Sequence, residues 1–323
     1  MEIEARNRFI GIDVGGTKIM GVVADPTSGV IQVRRKAPTP KADPETLPEA
    51  IKQVVAELIE EAGRPVGLGV GVPGLVDHQG VLHYGPNVPG VLGLDMAGEL
   101  RSEFGLPVVA ENDATCAALA EHRLGAARGT THAVVVNQGT GIAGGIIIGG
   151  RMYRGANGFA GEPGHMLINS GGHVCACGKT GCWEAVASGA GLANIARDVV
   201  AEGKGHRIVE LAGGEAAHIR GEHVSAAMAE GDSDAAEVLD RFGWWVAEGL
   251  ASLVALLDPE LIVLGGGLTA INRHFISDVQ ERVNATVMGA AYRPEVPIVP
   301  ARLGAEAGAI GAAISSRDLF LGR

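Results

Sequence analysis

One pattern occurs twice in this chain, and it limits the possible folds more than any other feature. The apolar run at residues 8–14 carries Asp13 near its end, turns through Gly15-Gly16-Thr17 and continues into a second apolar run at 18–24. The run at 132–136 is followed by Asn137, turns through Gly139-Thr140-Gly141 and continues into 142–148. Short apolar runs bounded by Gly turns read as strands. Each copy adds a third short strand, at 30–35 and at 151–153, and each returns later to an apolar strand with a Gly-rich end, at 70–74 and at 262–267. A duplicated strand-strand-strand-helix-strand unit predicts two similar α/β domains facing a cleft.

Helical spacing fills the gaps between these strands. Leu47, Ile51, Val54, Leu58 and Ala62 recur every three or four residues, with Asp43 or Thr46 as the expected start and Gly63 as the stop. The first copy continues with a strand over 66–72, a short helix over 94–104, a strand over 107–110 and an Ala-rich helix over 113–124. In the second copy Leu239, Phe242, Val246, Leu250, Leu253 and Leu257 mark a long helix, and an insertion spans 155–191. A last helix, over 305–315, is expected to cross back. The expected domains are 1–124, with 304–323 packing back onto it, and 125–303.

Composition agrees with two domains and removes several function classes. At roughly 150 residues per domain, 323 residues make two. Hydrophobic residues at 46% and charged residues at 20% exclude a disordered chain. The net charge, 26 minus 37 or −11, argues against a nucleic-acid footprint and against attraction to an anionic membrane. The most apolar stretch, 250–268, is interrupted by Asp258-Pro259-Glu260 and Gly265-Gly266-Gly267, so no membrane span is expected. Residues 1–8 hold two Glu and no long apolar run, which predicts no targeting peptide and a cytoplasmic protein. Gly is the outlier at 50 residues, without a Gly-X-Y period, and is expected where backbone turns tightly or approaches a ligand.

The repeated turns are the first chemical signal. In Gly15-Gly16-Thr17-Lys18 and Gly139-Thr140-Gly141, glycines permit positive φ and leave N–H groups free for phosphate oxygens. The spacing is not that of a Walker A loop, and a plain hairpin turn is the alternative at either position taken alone; the repetition favours a phosphate clamp. Asp13, beside the first turn, has the chemistry to hold Mg²⁺ through water. Gly265-Gly266-Gly267 suits the close approach of an adenosine or serves as a structural turn. Asp113, in Glu111-Asn112-Asp113, stands where a helix opens, either as its cap or as a carboxylate kept ionised by the helix dipole.

The most specific signal is Glu162-Pro163-Gly164-His165 followed by Cys175, Cys177, Cys182 and Glu184. Three cysteines within eight residues and one histidine make a Cys₃His zinc set, with His173 competing with His165 by proximity. A disulfide with one thiol left over is the alternative. Cys116, inside the Ala-rich helix, reads as a small buried hydrophobe.

Taken together, DVGGTK at 13–18, AEND at 110–113, NQGTG at 137–141, AGEPGH at 160–165, CACGKTGCWE at 175–184 and LGGGL at 264–268 resemble the ROK family of repressors, open reading frames and sugar kinases. Within it the chain is most similar to the zinc-containing bacterial glucokinases, over about residues 9–313. The resemblance implies a duplicated actin-like (ribonuclease H-like) two-domain kinase fold of the α/β class. It implies Asp113 as general base, and Gly74, Asn87, Asn112, Asp113, Glu162, His165 and Glu184 around the sugar. For ATP it implies Asp13, Gly15, Gly16, Thr17, Lys18, Gly139, Thr140, Gly141, Gly265, Gly266 and Gly267. It implies His165, Cys175, Cys177 and Cys182 as ligands of a structural Zn²⁺, which disfavours His173, and a homodimer or homotetramer. Ala143, where a Gly is usual, and Val91, where glucokinases often carry Trp, depart from the pattern and bear on ring stacking and sugar choice.

The reaction so implied is transfer of the γ-phosphoryl group of ATP, with Mg²⁺, to O6 of a hexose, glucose first. Phosphoryl transfer asks for positioning and charge neutralisation, so two Gly-rich clamps, Mg²⁺ and one carboxylate suffice. Within the kinases the alternatives are mannose, N-acetylglucosamine and N-acetylmannosamine. Outside them the alternative is a sugar-responsive repressor, which needs a helix-turn-helix that the eight residues before the first strand do not supply. A non-catalytic sugar-binding protein would not need Asp113 and both clamps.

Overall fold

The glycines of the first sheet explain how its elements come to lie where they do. The computed structural model describes residues 4–40, 46–85 and 93–322; Asp43 lies outside them. Strands β1 (Phe9–Val14), β2 (Lys18–Ala24) and β3 (Ile31–Pro38) form an antiparallel meander, and β4 (Gly67–Val72) and β7 (Val108–Asn112) add in parallel, giving the order β3-β2-β1-β4-β7. In β4 every residue is buried, and the sequence alternates Gly with Leu or Val. Leu68, Val70 and Val72 join Ile10, Ile12 and Val14 of β1 in a core with α1 (Leu47–Ala62) and α2 (Met96–Phe104). On the other face a Cβ at Gly69 would stand 1.8 Å from the Ala312 carbonyl oxygen, and one at Gly11 1.8 Å from that of Ala309. Only a bare Cα lets α10 (Ala307–Phe320) rest its backbone on the sheet, beside α3 (Asp113–Leu124). Part of the Gly excess therefore serves helix-on-sheet packing instead of ligand loops.

A short hairpin, β5 (Leu75–Val76) with β6 (Leu82–Tyr84), follows β4. The second sheet has the order β10-β9-β8-β11-β12, from β8 (Ala133–Gln138), β9 (Ile142–Ile148), β10 (Arg151–Tyr153), β11 (Leu261–Gly265) and β12 (Ile298–Pro300). This order matches the first sheet strand for strand, so the duplication read from the two turns extends to whole sheets.

The chain divides into two compact units: Met1–Val135 with Gly144–Gly161 and Arg302–Arg323, and Val136–Ala143 with Glu162–Ala301. In the first unit Leu119, Ala120, Ala307, Ile310 and Ile314 join α3 to α10. At the end of α3, the buried Glu121 accepts from the N–H groups of Ala126 (2.7 Å), Arg302 (2.9 Å) and Leu303 (2.8 Å), fixing the segment that leads into α10. The second unit holds α4 (Glu184–Ala187), α5 (Gly189–Ala201), α6 (His206–Leu211), α7 (Gly221–Ala229), α8 (Ser233–Leu257) and α9 (Thr269–Thr286). The buried face of α8 runs through Val238, Phe242, Val246, Leu250 and Leu253, whereas Leu239 and Leu257, expected on it, are half-buried. Among the described residues no helix is long and apolar enough to cross a membrane.

Candidate active site and metal centre

In the first unit the strand ends deliver two carboxylates. Asp13 lies near the end of β1, against the first turn of α10, where a Cβ on Gly308 would come 2.6 Å from its Cγ. Burial pushes its carboxyl up to about 7; the charge of Asp113 adds to this and Lys18 opposes it. The following turn is closed by Gly15 N–H donating to the Lys18 carbonyl (2.9 Å) and pinned by the Thr39 hydroxyl donating to the Gly15 carbonyl (2.6 Å). Gly16, Thr17 and Lys18 are exposed. Neither Gly15 nor Gly16 has positive φ, and a Cβ on Gly16 would meet nothing within 4 Å. The turn does not need glycine for its backbone conformation, contrary to the expectation from sequence; glycine leaves open space above it.

Strand β7 extends to Asn112, two residues beyond the expected end, and Asn112 caps α3 by accepting from Thr115 N–H (2.9 Å). Its amide nitrogen donates to the Gly74 carbonyl (3.0 Å). Gly74 has φ +118, and a Cβ there would lie 2.0 Å from the Tyr84 carbonyl oxygen, so this position requires glycine. Since Asn112 does the capping, Asp113 is the first helical residue, and its Oδ1 accepts a local bond from Ala114 N–H (2.8 Å). Burial outweighs that bond and pushes Asp113 up to about 6. Desolvation, not the helix dipole, governs this carboxylate.

In the second unit the corresponding turn is closed by Gly139 N–H donating to the Gly141 carbonyl (2.9 Å). Helix α5 begins against it: Ser188 caps the helix, and Gly189 N–H donates to the Gly139 carbonyl (2.8 Å). The buried Gln138 donates to the Ala187 carbonyl (2.9 Å) and so ties the strand end to the same helix start. Gly265-Gly266-Gly267 folds back onto β8. Gly266 has φ +88 with its Cβ position 2.3 Å from the Gln138 carbonyl oxygen, and Leu268 N–H donates to that oxygen (3.0 Å). The two Gly segments of this unit are thereby brought together, with Gly139 and Gly267 bordering open space. Sequence reasoning missed the start of α5, a helix N-terminus with the positive end of its dipole at the turn. Ser188 followed by Gly-Ala-Gly was the signal available for it.

The insertion brings Glu162, His165 and Glu184 into the same unit. His165 ends a 3-10 turn (Pro163–His165), with Nε2 4.0 Å from Glu162 Oε2. Glu184 opens α4, its Oε2 accepting from Ile142 N–H (2.8 Å), an approach that a Cβ on Gly141 would block at 2.3 Å. The Cys175 thiol donates to Glu184 Oε1 (3.2 Å). Trp183, fully buried, donates to the Trp245 carbonyl (2.8 Å) and sits over Gly249 of α8, which anchors the Cys182-Trp183-Glu184 run.

Donor atoms of His165, Cys175, Cys177 and Cys182 all lie within 4.8 Å of one another. Cys175 Sγ is 3.7 Å from His165 Nδ1, and Cys177 Sγ is 3.7 Å from Cys182 Sγ. Zn–S bonds of about 2.3 Å in a tetrahedron require S···S edges of about 3.8 Å, so the donor set fits zinc. A disulfide would require about 2.05 Å, and all three thiols are free. His173 instead donates from Nε2 to Asp198 (2.8 Å). Cys116 is fully buried. Asn87 and Val91 lie outside the described residues.

The family model described as ROK family matches residues 9–318. A glucokinase of Streptomyces coelicolor is 34% identical over 312 residues, 96% of this chain and 97% of that protein. The crystal structure of a ROK family glucokinase from Streptomyces griseus in complex with glucose and AMPPNP matches with a TM-score of 0.84 and 34% identity, covering 96% of this chain and 99% of that one. A ROK hexokinase from Thermus thermophilus matches with a TM-score of 0.81 and 35% identity, covering 98% and 100%.

Proposed function

We propose, from the premise that this chain belongs to the ROK family, that it is an ATP-dependent hexose kinase acting on glucose, with glucose 6-phosphate and ADP as products. The fold is the duplicated actin-like α/β kinase fold of its structural relatives. The observation that carries the reading is Asp113: a carboxylate at the opening of a helix that another residue caps, pushed by burial up to about 6. A base of that strength is ionised at neutral pH and is matched to taking a proton from a hydroxyl as it reacts. As O6 bonds to the γ-phosphorus, its proton passes to Asp113, the bond from that phosphorus to the β,γ-bridging oxygen breaks, and the electron pair leaves with ADP.

Gly74, Asn87, Asn112, Asp113, Glu162, His165 and Glu184 are proposed to hold the sugar. Asp13, Gly15, Gly16, Thr17 and Lys18, with Gly139, Thr140, Gly141, Gly265, Gly266 and Gly267, are proposed to hold the nucleotide. Open space over Gly16, Gly139 and Gly267 supports this assignment. Asp13 would hold Mg²⁺, which would supply neutralisation of phosphate charge. Zn²⁺ on His165, Cys175, Cys177 and Cys182 is structural, because four protein ligands leave no open position. The reading includes a cytoplasmic enzyme, a homodimer or homotetramer, and domains at 1–124 with 304–323 and at 125–303.

The test is coupled ADP release over a panel of glucose, mannose, N-acetylglucosamine and N-acetylmannosamine, with the product placed by ³¹P NMR. Glucose should give the highest kcat/KM, with phosphate on O6. Preference for another of these hexoses would overturn the choice of glucose, and ATP turnover without a sugar phosphate would overturn the kinase.

A further inference from the structure

Glu111 stands one residue before Asn112 on β7, and its carboxylate is engaged by Arg154 and Ser315. Arg154, just past the end of β10, reaches both of its oxygens: Nε donates to Oε1 and Nη2 to Oε2 (2.9 Å). The Ser315 hydroxyl of α10 donates to Oε2 as well (3.0 Å). The side chains are 12% exposed for Glu111 and 33% for Arg154, so this is a two-pronged, partly buried guanidinium–carboxylate pair.

Arg154 also begins a segment that the first unit holds along its length. Ala160 N–H donates back to the Arg154 carbonyl (3.1 Å), and Gly144 N–H donates to the Gly161 carbonyl (2.8 Å). His78 Nε2 donates to the Gly155 carbonyl (3.1 Å), and the His83 ring meets Phe159 edge-on at 5.6 Å. Gly158, at φ +93, sits where a Cβ would be 2.6 Å from the Val76 carbonyl oxygen. The next residue along the chain is Glu162.

We propose that Arg154 is a positioning residue for the sugar: clamped by Glu111 on the strand that delivers Asn112 and Asp113, it fixes residues 154–161 and hence the point from which Glu162 and His165 extend. One carboxylate–guanidinium pair thus references the segment leading to Glu162 to the same strand that carries the base. The inference rests on the reading of Glu162 and His165 as sugar ligands. It assigns Arg154 no contact with sugar or phosphate.

The test combines glucose affinity by calorimetry, steady-state kinetics and hydrogen exchange on wild type, Arg154→Ala, Arg154→Lys, Glu111→Gln and the double variant Glu111→Gln/Arg154→Ala. Arg154→Ala should raise Kd and KM for glucose about tenfold, leave KM for ATP within about twofold, and speed exchange over 155–165 without global unfolding. Arg154→Lys should recover part of the affinity, and the double variant should be no worse than Arg154→Ala, since both changes break one pair. Unchanged glucose affinity with unchanged exchange in folded Arg154→Ala would overturn the proposal. So would equal loss for glucose and ATP accompanied by a lowered Tm, which marks a purely structural pair. A wild type that neither binds nor phosphorylates any hexose would instead overturn the functional reading, and the exchange data would still decide whether the pair fixes the segment.

Discussion

The two halves share a sheet order but not a distribution of charge. In the first, β1 carries Asp13 near its end and β7 leads through Glu111 and Asn112 to Asp113. In the second, the strand matching β1 is β8, which ends in the neutral Asn137-Gln138, and the strand matching β7 is β12, which leads into Ala301. Both turns adjoin a helix start: Asp13 lies against Gly308 of α10, and Gly139 accepts from Gly189 of α5. The carboxylates of the second unit's candidate site, Glu162 and Glu184, arrive from the insertion, with Glu184 held by Ile142 N–H beside the zinc-fitting cluster. Duplication therefore supplied two scaffolds for turns, while the buried strand-end carboxylates stayed with one and the Cys and His cluster was added to the other.

The sharpest way to break this contrast is Asp113→Asn. Because Asn112 keeps the cap and burial disfavours the ionised Asp113 carboxylate, the variant should be no less stable than wild type at neutral pH, while kcat falls by roughly 10² to 10⁴, read by steady-state kinetics beside thermal melts. A near-normal kcat would remove the base from the first unit. Next in size is Cys177→Ser, which should lose the metal, about one zinc per chain by metal analysis in the wild type, and raise KM for glucose through disorder of the loop that holds Glu184. A metal-free wild type with full activity would reject the metal's part in the comparison.

Smaller again is Glu184→Gln, which should weaken sugar binding about tenfold and leave ATP affinity nearly unchanged, since a lost acceptor in a desolvated site costs roughly 1–3 kcal/mol. Equal loss for both ligands would point to misfolding. The smallest effect sharpens the comparison through stability. Asp13 is raised to about 7 from 3.8, so the folded state holds a proton that the unfolded state has lost, and stability falls as pH rises between those values. Asp13→Asn, melted without nucleotide or Mg²⁺, should exceed wild type on the order of 1 kcal/mol near pH 8 and match it near pH 4. Asn137→Gln, at the matching turn, should show no such pH dependence.

How much of this was legible varied with how local its cause is. The helix over Leu47–Ala62 was readable, apart from the choice of Asp43 or Thr46 as its start, because its apolar spacing and its Gly63 stop are local. Two strands with Gly turns, repeated, disclosed the duplicated sheets. The Cys and His spacing disclosed the metal cluster, but proximity left His165 against His173; the structure places His165 among the three cysteines and pairs His173 with Asp198. The share of glycine that serves the contact of α10 with β1 and β4 was not legible, because the partner backbone lies more than 200 residues away in sequence, Ala309 against Gly11 and Ala312 against Gly69. Nor was the capping by Asn112 in place of Asp113, since either side chain can cap and strand length decides between them. The start of α5 against Gly139 and the seat of Trp183 on Gly249 likewise depend on tertiary contact.

The central claim is that a buried carboxylate at the end of the first unit's strand is the base, and the pH dependence of kcat/KM for the sugar tests it most directly. Measured at saturating nucleotide from pH 5 to 9, log kcat/KM should fall with a slope of one below an apparent pKa near the value of about 6 set by burial of Asp113, because the protonated carboxyl accepts no proton. In Asp113→Asn that limb should disappear along with most of the rate. A wild-type profile that stays flat down to pH 5, in protein still folded by circular dichroism, would contradict the account.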